Sequence, residues 1–210
     1  MKFKKTMGTA VLAAVLLAGC NKDSEYIQKY NDEFDKMQKA EAPTEQINKE
    51  LNKLEKEKEK LSKEISGQDI SKVQAQVDKV LDNAKEREKQ LEKEASTIQN
   101  SEKAFKEMKA ESKQIEDKDV KKEFDQLNAA IEDKNKKHDA YIKGYQNIIN
   151  KEKDLFSYFK SKTGTQAEVD QRSKALADAQ KEMQKKVDDY TKAIRKVQTE
   201  KQDVDEIANK

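Results

Sequence analysis

Apolar residues recur along most of this chain at the spacing of one helical stripe. Ile70, Val77, Ala84, Leu91, Ile98 and Phe105 stand seven apart, with Val73, Val80 and Met108 beside them. Val120, Phe124, Leu127, Ile131, Tyr141, Tyr145, Ile148, Leu155 and Phe159 follow one seam that alternates steps of three and four. Val169, Leu176, Met183, Tyr190, Val197 and Val204 are again seven apart, with Val187 and Ile194 alongside. The first stretch carries Ile27, Tyr30, Phe34 and Met37, then Leu51, Leu54, Leu61 and Ile65, and its register slips by three around Pro43. A polar chain without structure does not hold phase this long, and the pattern is that of packed helices.

Punctuation divides the stripes. Ser66-Gly67-Gln68-Asp69 reads as a helix stop followed by an Asp N-cap. Glu116–Asp119 holds cap-competent aspartates, and Thr165 with Glu168 forms a capping box after Gly164. The predicted helices lie near 25–65, 70–115, 119–160 and 166–208, each roughly 65 Å long. Matched helices with short connections run antiparallel, so the expected fold is all-α: an up-and-down four-helix bundle with a kink or break near Pro43. A single long dimeric coiled coil is the alternative, disfavoured by three evenly spaced loops. Thr44 is placed to cap the helix after Pro43, and Gly144 sits inside the third helix.

Composition alone suggests disorder: 41% of residues are charged, 34% are apolar and mean hydropathy is −1.16. The periodicity turns the same numbers into a thin bundle, which needs only a narrow apolar stripe. Five Gly and one Pro also exclude a turn-rich sheet fold.

The N-terminus is of a different kind. Lys2, Lys4 and Lys5 precede a short apolar run, Val11–Ala18, in the pattern of a secretory signal. The run ends Leu17-Ala18-Gly19-Cys20, which resembles the lipobox of bacterial lipoproteins. That resemblance implies cleavage before Cys20, a diacylglycerol on its thiol and a membrane partner reached through that lipid. Residues 1–19 are then a signal peptide, 20–24 the lipidated Cys and a short tether, and 25–210 the helical bundle. Cys20 is the chain's one Cys, which leaves no disulfide. Losing residues 1–19 removes three lysines and leaves 41 basic residues against 42 acidic. Near-neutral charge and three Arg argue against a nucleic-acid partner. The third helix is the one basic segment; it either faces anionic polymer or pairs with acidic neighbours.

Several seam positions are polar: Lys58, Arg87, Glu94, Lys134, His138, Glu152 and Lys201. The antiparallel layout predicts a mid-bundle layer of Glu94, His138, Tyr141 and Tyr145. This is a candidate small-ligand site, or a register-fixing layer whose long side chains reach water. A second candidate is the loop between the last two helices, where Tyr158 lies off the stripe beside Lys160 and Lys162; it is either an exposed contact site or a plain end-cap of the core, while Phe159 is predicted core. Enzyme motifs fail. Ser157-x-x-Lys160 and Lys162-Thr163-Gly164 match penicillin-binding signatures, but they sit adjacent at a helix end with no sheet to assemble them. No Gly-rich phosphate loop, Cys/His metal cluster or cofactor motif is present, and a second His is lacking.

A lipobox at Leu17–Cys20 followed by Lys/Glu/Gln-rich residues in four even helices resembles the YkyA-like cell-wall-binding lipoproteins of Gram-positive bacteria. The resemblance implies an up-and-down bundle anchored on the extracytoplasmic face of the cell membrane. It implies no catalytic residue and no cofactor. The expected function is a non-enzymatic binding or spacer module near the inner wall, its partner a wall polymer or a surface protein. The alternative is a regulator or chaperone-like partner of a membrane-proximal protein, bound through a helix face or the distal tip.

Overall fold

The computed structural model describes residues 23–161 and 164–208, apart from the Ile70 side chain. Leu17, Ala18, Gly19, Cys20 and Lys162, and with them the signal peptide and lipobox, lie outside the described residues. The described elements are helices α1 (Ser24–Glu41), α2 (Pro43–Ile65), α3 (Gln74–Ser112), α4 (Lys118–Tyr158) and α5 (Gln166–Ala208), with one 3-10 turn at Ile70–Lys72. The fold is all-α, as the periodicity predicts.

The break falls where Pro43 requires it. Pro43 is the first residue of α2, where its missing N–H leaves no helical bond unmade. Thr44 does not cap α2. It lies one position inside the helix, 2% exposed, and its hydroxyl has no hydrogen-bond partner among the described residues. Gly67 closes α2 with φ +74°, the left-handed conformation Gly adopts without strain. Asp69 caps the 3-10 turn instead of α3: its carboxylate accepts the Ser71 N–H at 2.9 Å and hydroxyl at 2.8 Å, and α3 starts five residues later. Asp117 caps α4 by accepting the N–H groups of Asp119 and Val120 at 2.9 and 3.0 Å.

The described residues form two compact units. The Arg87 unit comprises Thr44–Ala95 and Ala140–Val187. The Tyr30 unit comprises the described residues up to Pro43, Ser96–Asp139 and the described residues from Asp188. Each unit contains parts of four helices, and α3, α4 and α5 contribute to both.

Register in the Arg87 unit is antiparallel between chain neighbours. Asp154 of α4 faces Arg172 of α5, while Gly144 faces Met183 and Lys186. α2 and α4 run parallel, with Glu55 beside Tyr145 and Lys58 beside Glu152. One apolar cluster here joins Leu61, Ile65, Val73, Val77, Val80 and Phe156. Phe159, expected in the core, is half-buried against that cluster, while Phe156 is buried in it. The backbone turns at Tyr158, so the last aromatic lies beyond the helix and its seam.

In the Tyr30 unit, Ile27, Tyr30, Phe34, Met37, Phe105, Met108, Phe124, Leu127, Ile131 and Val204 form the core. Tyr30 packs edge-on against Phe124 at 4.6 Å, donates to Asn128 Oδ1 at 2.9 Å, and Asn128 in turn donates to Ser112 Oγ at 2.9 Å. Burial pushes the Tyr30 phenol well above its ordinary value, with Asp125 adding to the effect. The fold begins before the predicted boundary. Asp23 is 1% exposed and accepts the backbone N–H groups of Glu116 and Asp117, each at 2.9 Å. Lys121 Nζ donates to the Ser112 and Lys113 carbonyls at the same corner.

The α5 seam is less covered than the others. Met183 and Val204 are buried, but Val169, Leu176, Val187, Tyr190, Ile194 and Val197 are only half-buried.

Candidate functional site

The densest polar grouping lies in the Arg87 unit. Arg87 is fully buried on α3, and its guanidinium donates from Nε to Asn83 Oδ1 at 2.9 Å, from Nη1 to Glu55 Oε1 at 3.0 Å and from Nη2 to Glu152 Oε2. Lys58 Nζ donates to Glu55 Oε2 at 2.7 Å and Glu152 Oε1 at 3.0 Å. Tyr145 donates its hydroxyl to Glu55 Oε1. Asn83 completes the set by donating to the Leu54 carbonyl at 2.9 Å. Two cations thus meet two carboxylates on three helices.

Isolated charges could not be buried this way, because each would cost several kcal/mol in lost hydration. Burial pushes the Glu55 carboxyl upward, but Lys58 and Arg87 outweigh it and hold the group below its ordinary value. Burial pulls the Arg87 guanidinium down, and Glu152 and Glu55 outweigh it in the other direction. Burial, then the Glu55 charge, raises the Tyr145 phenol well beyond its usual range.

A cleft of about 240 Å³ adjoins this network between α2, α4 and α5. Glu55, Lys58 and Tyr145 form its polar wall. Ile148 and Met183 are its buried apolar lining, and the exposed Gln180 and Gln184 stand at its mouth.

The predicted layer of Glu94, His138, Tyr141 and Tyr145 divides between the units. Glu94 (1% exposed), Tyr141 and Tyr145 belong to the Arg87 unit, the two tyrosine rings meeting edge-on at 6.2 Å. His138, 1% exposed, belongs to the Tyr30 unit and packs edge-on against Tyr190 at 5.3 Å. Tyr145 is drawn to Glu55 by its hydroxyl. Of the polar seam residues, Lys58, Arg87, Glu152 and Lys134 pair across helices where the alternative had long side chains reaching water, Lys134 binding both Glu41 oxygens at 2.7 Å, whereas Lys201 pairs with Asp205 on its own helix. The pairing gives these lysines a carboxylate close at hand, so the side chain has no need to extend. Basic residues of α4 and of the loop after it likewise face acidic neighbours, as Lys153 faces Glu88 at 3.1 Å and Lys160 faces Asp78 at 2.6 Å.

At the α4–α5 loop, Tyr158 is half-buried. Its ring lies 4.0 Å from the Arg172 guanidinium. Its hydroxyl donates to Glu168 and accepts the Thr165 N–H at 2.8 Å. Hydrogen bonds from Tyr158 and Thr165 hold the Glu168 carboxyl below the usual range. A Cβ on Gly164 would meet the Tyr158 ring at 3.0 Å. The expected capping box is therefore remodelled: Glu168 N–H reaches Thr165 Oγ1 at 3.4 Å, but Tyr158 takes the Thr165 N–H.

Sequence reasoning marked Lys58, Arg87 and Glu152 as polar seam positions but did not reach Glu55 or Asn83, which lie off the stripe. It also did not reach Glu123, Glu200 and Asp203, whose carboxylates come within 4.8 Å of one another in the Tyr30 unit. No spacing rule joins residues that far apart in sequence.

The chain matches the family model for YkyA, described as putative cell-wall binding lipoprotein, over residues 25–207. It belongs to the YkyA family. The uncharacterized lipoprotein YkyA of Bacillus subtilis (strain 168) is 25% identical over 169 residues, covering 79% of this chain and 75% of that protein. A conserved Staphylococcus aureus protein of unknown function, solved as a crystal structure, is 34% identical with a TM-score of 0.78, covering 87% of this chain and 93% of that one. The helical fold of this chain is thus shared with a solved protein. No helix among the described residues is long and apolar enough to cross a membrane.

Proposed function

We propose that this YkyA-family chain is a non-enzymatic surface lipoprotein, acylated at Cys20 on the extracytoplasmic face of the cell membrane. Its helical body binds cell-wall polymer close to the bilayer. The observation that carries the reading is the position of Asp23. It is buried and held by two backbone N–H groups, only three residues beyond Cys20. Three residues span at most about 11 Å, so the folded body starts at the membrane surface and meets the innermost wall. Internally paired charges support a binding or spacer role over a catalytic one.

Purified wall tests this with the mature lipoprotein in detergent across a salt series. Retention is expected, with shallow salt dependence, because α4 lysines such as Lys134 and Lys153 are paired with carboxylates and the mature charge is near zero. No retention at any salt would sink the wall-binding reading.

The half-covered α5 seam favours one second reading, a protein partner docked on that helix. Photocrosslinking from Leu176 or Val197 in cells tests it, and a protein adduct is expected there and not from Lys160.

A further inference from the structure

We propose that the cleft beside the Arg87 network binds a neutral sugar, with one hydroxyl bridging Lys58 and Glu55. This rests on the wall-binding reading above and names the ligand class. Lys58 uses two of its three N–H donors, on Glu55 and Glu152. Glu55 Oε1 already accepts from Arg87 and Tyr145, while Oε2 accepts from Lys58 alone. The cleft therefore presents a remaining donor and a remaining acceptor on two atoms 2.7 Å apart. A hydroxyl matches that pair, because one oxygen both accepts and donates. A trans amide does not, because its N–H and C=O point in opposite directions.

Charge excludes the other classes. Arg87 and Lys58 balance Glu55 and Glu152, so an anion or a cation would enter this buried neighbourhood uncompensated. The Ile148 and Met183 lining suits the C–H face of a sugar ring, and the Gln180 amide at the mouth can address a further hydroxyl. At about 240 Å³ the cleft is smaller than the roughly 300–1,000 Å³ of drug-sized sites. It takes one sugar unit and leaves the rest of a polymer outside.

The test is saturation-transfer NMR of N-acetylglucosamine with the mature lipoprotein in detergent, with glycerol phosphate as the anionic probe. Binding of the neutral sugar and none of glycerol phosphate is expected. Lys58→Met keeps the aliphatic stem and removes the donor, which should weaken sugar binding at least about tenfold. Gln184→Trp blocks the mouth from an exposed position, with the same expected loss, and a thermal melt of each variant reports folding. Equal sugar binding by wild type and a folded Gln184→Trp would overturn the proposal, as would preference for glycerol phosphate. The two readings fail separately. Wild type retained on wall but silent toward the sugar ends the cleft proposal alone; sugar binding without wall retention ends the wall reading alone.

Discussion

Asp23 Oδ2 accepts the backbone N–H of Asp117 at 2.9 Å, across 94 residues of sequence. Oδ1 of the same carboxylate holds the Glu116 N–H. Asp23→Ala would leave both N–H groups without this acceptor at a buried position. The expected loss is about 2–3 kcal/mol of unfolding free energy, read as a lower urea midpoint. Asp23→Asn keeps one oxygen and should recover part of it.

Arg87 binds both carboxylates of its network. Arg87→Met would leave Glu55 and Glu152 buried with Lys58 as their remaining cation, at an expected cost of about 3–5 kcal/mol. Removing Glu152 as well, as Glu152→Met in the same chain, should be less damaging than the sum of the single changes. A double-mutant cycle from urea unfolding checks the sign of that coupling.

Stability should fall at both ends of the pH range. Glu55 is held below its ordinary 4.5, so below that pH the unfolded chain binds more protons there than the folded one, and stability is lost as pH falls. Tyr30 and Tyr145 are held above their ordinary 10.0, so above that pH the unfolded chain binds fewer protons, and stability is lost as pH rises. Tyr145→Phe should flatten the alkaline decline without abolishing it, because Tyr30 remains. Urea midpoints of both proteins at neutral pH and above 10 settle the comparison.

Gly144 is a point of close approach between α4 and α5. A Cβ there would lie 2.5 Å from Lys186 Cδ and 2.9 Å from Met183 Sδ. Gly144→Ala gains about 1 kcal/mol of helix propensity, yet overpacking costs about 1–3 kcal/mol. The variant should melt lower than wild type, and Lys186→Ala in the same chain should restore part of the loss. A higher melting temperature for Gly144→Ala alone would show that the site is not tightly packed.

The helices were legible because a stripe seven residues apart is a property of one segment at a time. Val77, Val80, Leu91, Phe124, Ile131 and Val204 are read from it and are buried. Caps were legible where they act locally, as at Asp117, and misread where a partner comes from elsewhere. Thr165 loses its expected N–H partner to Tyr158, and Asp23 was assigned to a tether because both groups it holds are more than 90 residues away. The candidate site was half legible. Lys58, Arg87 and Glu152 interrupt the stripe and so announce themselves, whereas Glu55 sits off it among other Lys/Glu positions and looks like a solvated face. Its burial is decided by Arg87 on α3 and Tyr145 on α4, neither on its own helix.

Under the proposed function, the Asp23 clasp would also decide how the protein bears load. In the proposed arrangement, with lipid on Cys20 and the body held by the wall, a tug between the two would enter the polypeptide at the residues just before α1. A helix gripped only by its own backbone bonds would unravel from that end, one turn after another. Here the tension reaches Asp23 first and is shared with the α3–α4 corner, so two distant segments must yield together before the first turn of α1 peels away.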